Sequence, residues 1–169
     1  LLLNDGNGSF VDDTERAGVG GDAEQGSSAA VFIDVDADGD LDVALAHRFE
    51  STVSLLANEA GAVFTLTTVL QPGTRTDRLA VSDVDGDGDP DLIGGHSLSS
   101  RITVLENQSA FAFAASEALL LEANVTSFVA ADLDGDGDDD LAAALPIRAR
   151  LATILSGGDG TFAAPSSFA

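Results

Sequence analysis

The sequence contains no cysteine, no lysine, no tryptophan and no tyrosine. Without cysteine, a disulfide framework and a thiolate metal site are both excluded. Without lysine or cysteine, the chain also has few groups that could act in catalysis, so an enzyme is disfavoured. Without tryptophan and tyrosine, glycan binding by aromatic stacking is disfavoured as well, although the nine phenylalanines leave it open.

Long apolar runs are also missing from the chain. No run approaches the roughly 18–20 residues that a membrane-spanning helix needs, so we expect no membrane insertion. The opening "LLL" (1–3) is too short for a signal peptide and has no basic flank. There is no methionine anywhere, and we expect the chain to be a piece of a longer polypeptide.

Basic residues are scarce, and the formal net charge is −22. Three stretches, "DVDADGDLD" (34–42), "DVDGDGDPD" (83–91) and "DLDGDGDDD" (132–140), hold 16 of the 29 acidic residues and no base. Outside these stretches, 13 acidic residues are partly balanced by seven arginines, so the remaining excess of negative charge is modest. The acidity therefore belongs to three short segments, which indicates cations as partners and argues against nucleic acid, whose binding requires a basic face.

The three stretches are parts of a longer internal repeat. They begin 49 residues apart, and a phenylalanine follows each start after 30 residues (Phe64, Phe113 and Phe162). "LLLNDGNGSF" at the start matches "TILSGGDGTF" near the end. A period of this length indicates an array of structural repeats. We predict the tail of a preceding blade and a connector over 1–27, blade repeats over 28–76 and 77–125, and a nearly complete third over 126–169.

Each repeat has the pattern of short β-strands. Apolar runs of four to seven residues enter and leave the Asp-rich stretches, and glycine, asparagine and serine separate them. Only "ASEALLLEA" (115–123) has helical propensity, and it lies where the other repeats have an outer strand. Four short strands in 40–50 residues are typical of a β-propeller blade. We predict an all-β fold of about three four-stranded antiparallel blades, an open fragment of a larger propeller.

The Asp-rich stretches have the composition of metal-binding loops. If positions 1, 3, 5 and 9 supply carboxylates and position 7 a carbonyl, each loop surrounds one point with oxygen, and glycine at position 6 permits the turn. Several carboxylates and no nitrogen or sulfur suit Ca²⁺. We predict three Ca²⁺ sites, one per loop, with these residues: Asp34, Asp36, Asp38, Asp40 and Asp42; Asp83, Asp85, Asp87, Asp89 and Asp91; Asp132, Asp134, Asp136, Asp138 and Asp140.

Two other calcium motifs fit less well. An EF-hand loop needs glutamate at position 12 and flanking helices, but position 12 is Leu45, Gly94 or Ala143 and apolar strand runs flank the loops. A nonapeptide calcium roll needs tandem nine-residue repeats, whereas the period here is 49.

The sequence resembles the FG-GAP/VCBS repeat family of calcium-binding propeller blades, found in integrin α chains and microbial surface proteins. The similarity is carried by "AVFIDVDADGDLDVALA", "LAVSDVDGDGDPDLIGG", "FVAADLDGDGDDDLAAA" and "TILSGGDGTFAAPSSFA". The Phe-Gly and Gly-Ala-Pro signatures of integrin blades are absent, so the microbial branch is the closer match. The resemblance implies Ca²⁺ in the hairpin loop between the first two strands of a blade.

From these observations we expect a non-enzymatic calcium-binding module of a secreted or cell-surface protein, acting in adhesion or binding a protein or glycan ligand. The alternatives are a propeller that carries a polysaccharide-active enzyme and a purely structural spacer. The module could associate with further blades or chains. His47 and His96 lie one period apart, and we interpret them as polar turn residues. The sequence does not decide whether they have a role.

Overall fold

The structure, a computed structural model, describes residues 2–4, 6–12, 26–59, 62–73, 75–115, 118–146 and 149–168. The described residues form fifteen β-strands and no α-helix, so the predicted all-β fold is confirmed. A short hairpin of β1 (Leu2–Asn4) and β2 (Phe10–Asp12) comes first. No described segment is a helix long and apolar enough to cross a membrane.

Three antiparallel sheets follow, which we call blades 1, 2 and 3. Blade 1 contains β3 (Ser27–Ile33), β4 (Asp42–His47), β5 (Thr52–Asn58) and β6 (Phe64–Leu70). Blade 2 contains β7 (Arg78–Ser82), β8 (Asp91–His96), β9 (Arg101–Ser109), β10 (Ala112–Ala115) and β11 (Leu119–Leu120). Blade 3 contains β12 (Ser127–Ala131), β13 (Asp140–Leu145), β14 (Arg150–Ile154) and β15 (Ser166–Phe168).

Within each blade, consecutive strands pair in chain order. In blade 2 the outer edge is divided between two strands: β10 pairs with the end of β9, and β11 pairs with its beginning. The segment 115–123, for which the sequence left a helix open, contains the end of β10 and the whole of β11, and none of its described residues is helical. Residues 13–25 of the predicted connector lie outside the described residues, and the repeat boundaries stay a prediction.

The hydrophobic cores lie between blades. The first strands of successive blades contact each other, β3 against β7 and β7 against β12. One core joins blade 1, through Val53 and Leu55, to Leu92 and Leu105 of blade 2. A second core joins blade 2 to blade 3. Because neighbouring blades cover both of its faces, β8 is buried along its whole length. Apolar side chains therefore occupy successive positions there, as in "DLIGG", without strict alternation.

Two of the recurring phenylalanines take part in this packing, and the third lies in a cluster within blade 1. Phe64 is buried in a small cluster with Val43 and Leu56. Phe113 and Phe162 are half-buried and pack against the two cores between blades.

Candidate metal centres

Each Asp-rich stretch forms the hairpin loop between the first and second strands of its blade. In each loop, three aspartates offer carboxylate oxygens that all lie within 4.8 Å of one another, so each group could hold a metal ion. The groups are Asp34, Asp36 and Asp42; Asp83, Asp85 and Asp91; and Asp132, Asp134 and Asp136.

The groups match only part of the predicted ligand pattern. Positions 1 and 3 belong to all three groups, position 9 to the first two, and position 5 to the third alone. At position 7 the predicted ligand is a backbone carbonyl, which these carboxylate groups do not include, so it stays a prediction. The backbone N–H group of this residue donates to the carboxylate at position 5, as Asp89 does to Asp87 over 2.8 Å. The other bonds of this kind join Asp40 to Asp38 and Asp138 to Asp136.

The first aspartate of each loop closes the turn. In the second loop, Asp83 accepts hydrogen bonds from the N–H groups of Gly86 and Gly88, over 2.9 and 3.1 Å. Gly88 has a φ of +93°, in the left-handed region that glycine adopts without steric cost. Glycine at position 6 therefore permits the turn, as the sequence predicted.

The last aspartate has a role that the sequence analysis missed. Asp91 is fully buried, and its two carboxylate oxygens accept hydrogen bonds from different backbone segments. Oδ2 accepts from Val84 in the loop over 2.8 Å, and Oδ1 accepts from Asn107 in β9 over 2.7 Å. This carboxylate therefore ties the loop to the third strand. The other blades repeat the arrangement: Asp42 binds Val35 and Asn58, and Asp140 binds Leu133 and Ser156.

A sequence signal for this arrangement existed, because a polar residue recurs at the 49-residue spacing near the end of the third strand (Asn58, Asn107 and Ser156). The sequence does not show what this recurring residue does, because its backbone N–H group, which every residue other than proline has, donates to the aspartate.

The crowded carboxylates alter the acid–base chemistry of the loops. The pKa of Asp91 is raised to about 6, chiefly by burial; the charges of Asp85 and Asp87 also raise it, and the hydrogen bonds from Asn107 and Val84 oppose the shift. Burial and the charges of Asp36 and Asp38 likewise raise the pKa of Asp42. A bound cation would favour the ionised carboxylates and oppose this effect.

The residues of the first loop fit a cation. Asp34 Oδ1 is buried and accepts no hydrogen bond, and the same holds for Asn58 Oδ1. An adjoining cavity of about 390 Å³ is lined by Asp36, Asp38, Asp40, Asn58 and Glu59, among others. A buried oxygen without a donor costs free energy unless something pairs with it, and a cation bound in the loop would be such a partner.

The two histidines are buried strand residues, so their interpretation as turn residues is wrong. His96 ends β8, and its Nε2 lies 2.9 Å from Thr103 Oγ1 and its Nδ1 2.8 Å from the carbonyl oxygen of Arg75. His47 ends β4 in the same way, with Nε2 2.8 Å from Ser54 Oγ. A neutral imidazole that donates at Nδ1 and accepts at Nε2 satisfies the contacts of His96. Both histidines link the second strand of a blade to the third.

A second cavity, of about 310 Å³, lies between blades 1 and 2 and beside the β4–β5 turn. Arg48, Phe49, Asp77, Arg78 and Ser97 line it together with Gly26, Ser27 and Ser28. Phe49 is 70% exposed, and the guanidinium carbons of Arg48 and Arg75 lie 5.9 and 5.7 Å from its ring centroid. The carboxylate of Asp77 is already hydrogen-bonded within the fold, because it accepts from the backbone N–H group and the hydroxyl group of Ser97.

Comparison with solved structures shows a similar fold in a lectin of Agrocybe aegerita that specifically recognises non-reducing terminal N-acetylglucosamine. The TM-score is 0.57 at 23% sequence identity, and the match covers 80% of this chain and 36% of the lectin. The chain thus spans about a third of that protein, and the likeness concerns the fold alone. It agrees with the description of the three sheets as blades of an open propeller.

Comparison with curated proteins gives no match. The model of the FG-GAP-like repeat, in contrast, matches twice, at residues 34–94 and 83–143. Each match begins at the first aspartate of one loop and runs beyond the loop of the following blade. Together the two matches cover more than half of the 169 residues. The chain therefore belongs to the FG-GAP-like repeat family.

Proposed function

We propose that the chain is a calcium-binding, non-catalytic ligand-binding module of a secreted or cell-surface protein. The observation that carries the proposal is the convergence of three carboxylates in each of three loops, with oxygens within 4.8 Å of one another. At neutral pH the three carboxylates of such a group repel one another unless a cation is present, because each pair of like charges in a partly buried site costs energy.

The donor set favours calcium over other metals. Every candidate ligand is an oxygen, which disfavours Zn²⁺ and other metals that prefer nitrogen or sulfur. Ca²⁺ accepts six to eight oxygens in flexible geometry, whereas Mg²⁺ requires a strict octahedron and retains water. The aspartates at positions 1 and 3 of each loop would hold the ion, and the aspartate at position 5 or 9 would complete the carboxylate set. The ion supplies positive charge that fixes the loop.

The role of the ion would be structural. In the first two loops the candidate ligand at position 9 also accepts hydrogen bonds from the loop and from the third strand. An ion bound there would hold together the loop and the blade edge. If the sites bind with the Kd of roughly 10⁻⁴–10⁻³ M that is typical of extracellular modules, they fill only where calcium is plentiful, as it is outside the cell.

The cavity between blades 1 and 2 is the candidate ligand site. It combines an exposed aromatic ring, Phe49, with the guanidinium group of Arg48 and the hydroxyl groups of Ser27 and Ser28. Asp77, Arg78 and Ser97 also line it, but their side chains are hydrogen-bonded within the fold. This set suits a glycan that carries a carboxylate, because guanidinium groups pair with carboxylates and the ring can pack on a sugar face. The fold likeness to a glycan-binding lectin supports a glycan ligand over a catalytic role.

Calorimetric titration of calcium into the demetallated chain tests the calcium part of the proposal. We expect about three ions per chain for the unmodified chain and about two for Asp85→Asn. Glu50→Gln is the matched control: it removes one exposed acidic charge outside the loops and should leave the stoichiometry unchanged. A stoichiometry near zero, or one that Asp85→Asn does not alter, would contradict the proposal.

A further inference from the structure

The Asp-rich loops of blades 1 and 2 are each held by the next blade along the chain. In the first loop, the backbone of Val35, at position 2, makes two hydrogen bonds in different directions. Its N–H group donates to Asp42 of the same loop over 3.0 Å. Its carbonyl oxygen accepts from the side-chain amide of Asn107 in blade 2, also over 3.0 Å. The residue at position 2 is therefore fastened to its own blade through one backbone group and to the next blade through the other.

The contact between blades 2 and 3 repeats this arrangement with a different donor. The N–H group of Val84, at position 2 of the second loop, donates to Asp91 over 2.8 Å, and its carbonyl oxygen accepts from the backbone N–H group of Gly160 in blade 3 over 3.1 Å. Gly160 belongs to the turn between the third and fourth strands of blade 3. This turn lies against the loop, because a methyl group on Gly86 would be 3.1 Å from the carbonyl oxygen of Gly158. Both donors thus come from the end of the third strand or the turn after it, one blade further along the chain.

Position 2 matters for metal binding because it lies between two candidate ligands. Asp34 and Asp36 flank Val35 in the sequence, and the aspartates at positions 1 and 3 belong to all three carboxylate groups. Val35 is 3% exposed and Val84 is 1% exposed, so the backbone between the ligands is held inside the fold. Mutual repulsion would drive the carboxylates of a metal-free loop apart. A bond that holds the backbone between them keeps the ligands close and lowers the entropy that ion binding costs.

We propose that Asn107 of blade 2 is a positioning residue for the calcium site of blade 1. This role rests on the proposed calcium binding, and it means that a site is completed by the blade that follows it. The side-chain amide of Asn107 acts on the ligands through Val35, whereas its backbone N–H group donates to Asp91 of its own loop over 2.7 Å. The two bonds can be separated, because a substitution at residue 107 removes the side-chain bond to the first loop and leaves the backbone bond to the second.

Asn107→Ser is the variant that isolates the side-chain bond. The amide oxygen of Asn107 accepts from the N–H group of Ser109 over 3.2 Å, and at the equivalent position of blade 3 the hydroxyl oxygen of Ser156 accepts from Gly158 over 3.2 Å. Serine therefore keeps the local bond of the turn but lacks the amide that crosses to blade 1. Gln108→Ala is the control, because it removes an exposed amide from the next residue of the same strand.

The test measures the calcium affinity of one loop at a time, by calorimetric titration of the demetallated chain. Asp85→Asn with Asp134→Asn leaves only the first loop intact, and Asp36→Asn with Asp134→Asn leaves only the second. In these single-loop variants we expect Asn107→Ser to raise the Kd of the first loop by roughly threefold to tenfold, the effect of losing one hydrogen bond, and to change the Kd of the second by less than about twofold. Gln108→Ala should change neither.

The outcomes distinguish failure of this role from failure of the proposed function. If both single-loop variants are folded by circular dichroism and neither binds calcium, the proposed function fails and the role of Asn107 fails with it. If both bind calcium, but Asn107→Ser leaves the first loop unchanged or weakens both loops alike, only the role of Asn107 is overturned, because a general loss of stability acts on both loops. The chain with all three loops intact gives a second measurement if a single-loop variant does not fold. There, Asn107→Ser should weaken one site and leave two unchanged, and three unchanged sites would overturn the proposal.

Discussion

The side-chain amide of Asn107 donates a hydrogen bond over 3.0 Å to the carbonyl oxygen of Val35, 72 residues earlier in the chain. Val35 is the second residue of the Asp-rich loop of blade 1, and Asn107 lies in the third strand of blade 2. The backbone N–H group of Asn107 also donates to Asp91, in the loop of its own blade. Asn107 thus joins the candidate metal loop of one blade to that of the next.

We expect Asn107→Ala to lower the free energy of unfolding by about 1–3 kcal/mol, because the carbonyl oxygen of a buried residue loses its donor. Gln108→Ala removes an exposed amide from the same strand and should change stability by less than about 0.5 kcal/mol. Urea denaturation of both variants in saturating calcium measures the difference. Equal effects of the two substitutions would show that the bond between blades contributes nothing measurable.

Calcium removal should lower the melting temperature of the chain. At free calcium ten times Kd, each site contributes about 1.4 kcal/mol, so three independent sites contribute about 4 kcal/mol. For a chain of this size, that corresponds to a shift of roughly 10 °C. Thermal denaturation with and without chelator measures it. Added salt should stabilise the chelated chain by screening the repulsion among its carboxylates. A melting temperature unchanged by chelator would contradict structural calcium sites.

The contact between blades 2 and 3 offers a test of close packing. A methyl group on Gly95 would lie 2.5 Å from Cε1 of Phe128, so we expect Gly95→Ala to destabilise the chain by about 1–3 kcal/mol. The corresponding residues between blades 1 and 2 are Ala46 and Leu79, which share one core.

The double variant Gly95→Ala with Phe128→Leu installs that pair and should recover most of the loss. A double-mutant cycle by urea denaturation measures the coupling. Additive effects would show that the two side chains do not compete for the same space.

The pH dependence of stability should depend on His96. Burial lowers its pKa to about 4; the charge of Arg101 lowers it as well, whereas Asp77 opposes the shift. The unfolded chain, with an ordinary pKa near 6.5, then binds more protons between these two values. The stability that His96 contributes is therefore complete above about pH 6.5 and is lost as the pH falls toward 4, by about 3 kcal/mol in all.

The measurement compares the unmodified chain with His96→Asn at several pH values. The raised pKa of Asp91 acts with the opposite sign, because protonation of this carboxylate stabilises the metal-free fold as the pH falls. Taking the difference between the two proteins removes this contribution. The difference should shrink by about 3 kcal/mol from pH 7 to pH 4, and a difference that stays constant would contradict a neutral, buried His96.

The sequence by itself determined the periodic features of this protein. The 49-residue spacing, the short apolar runs and the glycine at the sixth loop position are local properties, and they were sufficient to predict an all-β array of four-stranded blades. The concentration of carboxylates in three segments was equally sufficient to predict candidate metal loops, because repulsion among close charges requires a compensating partner.

Only the tertiary structure decided which groups meet across the chain. It showed that Asp91 and its equivalents are fastened by two backbone N–H groups, that His96 is a buried link between strands, and that Asn107 reaches a carbonyl in the preceding blade. The partners in these contacts include backbone atoms that every residue possesses, or residues far away in the chain. A periodic pattern records which side chains recur, but not which backbone groups they meet.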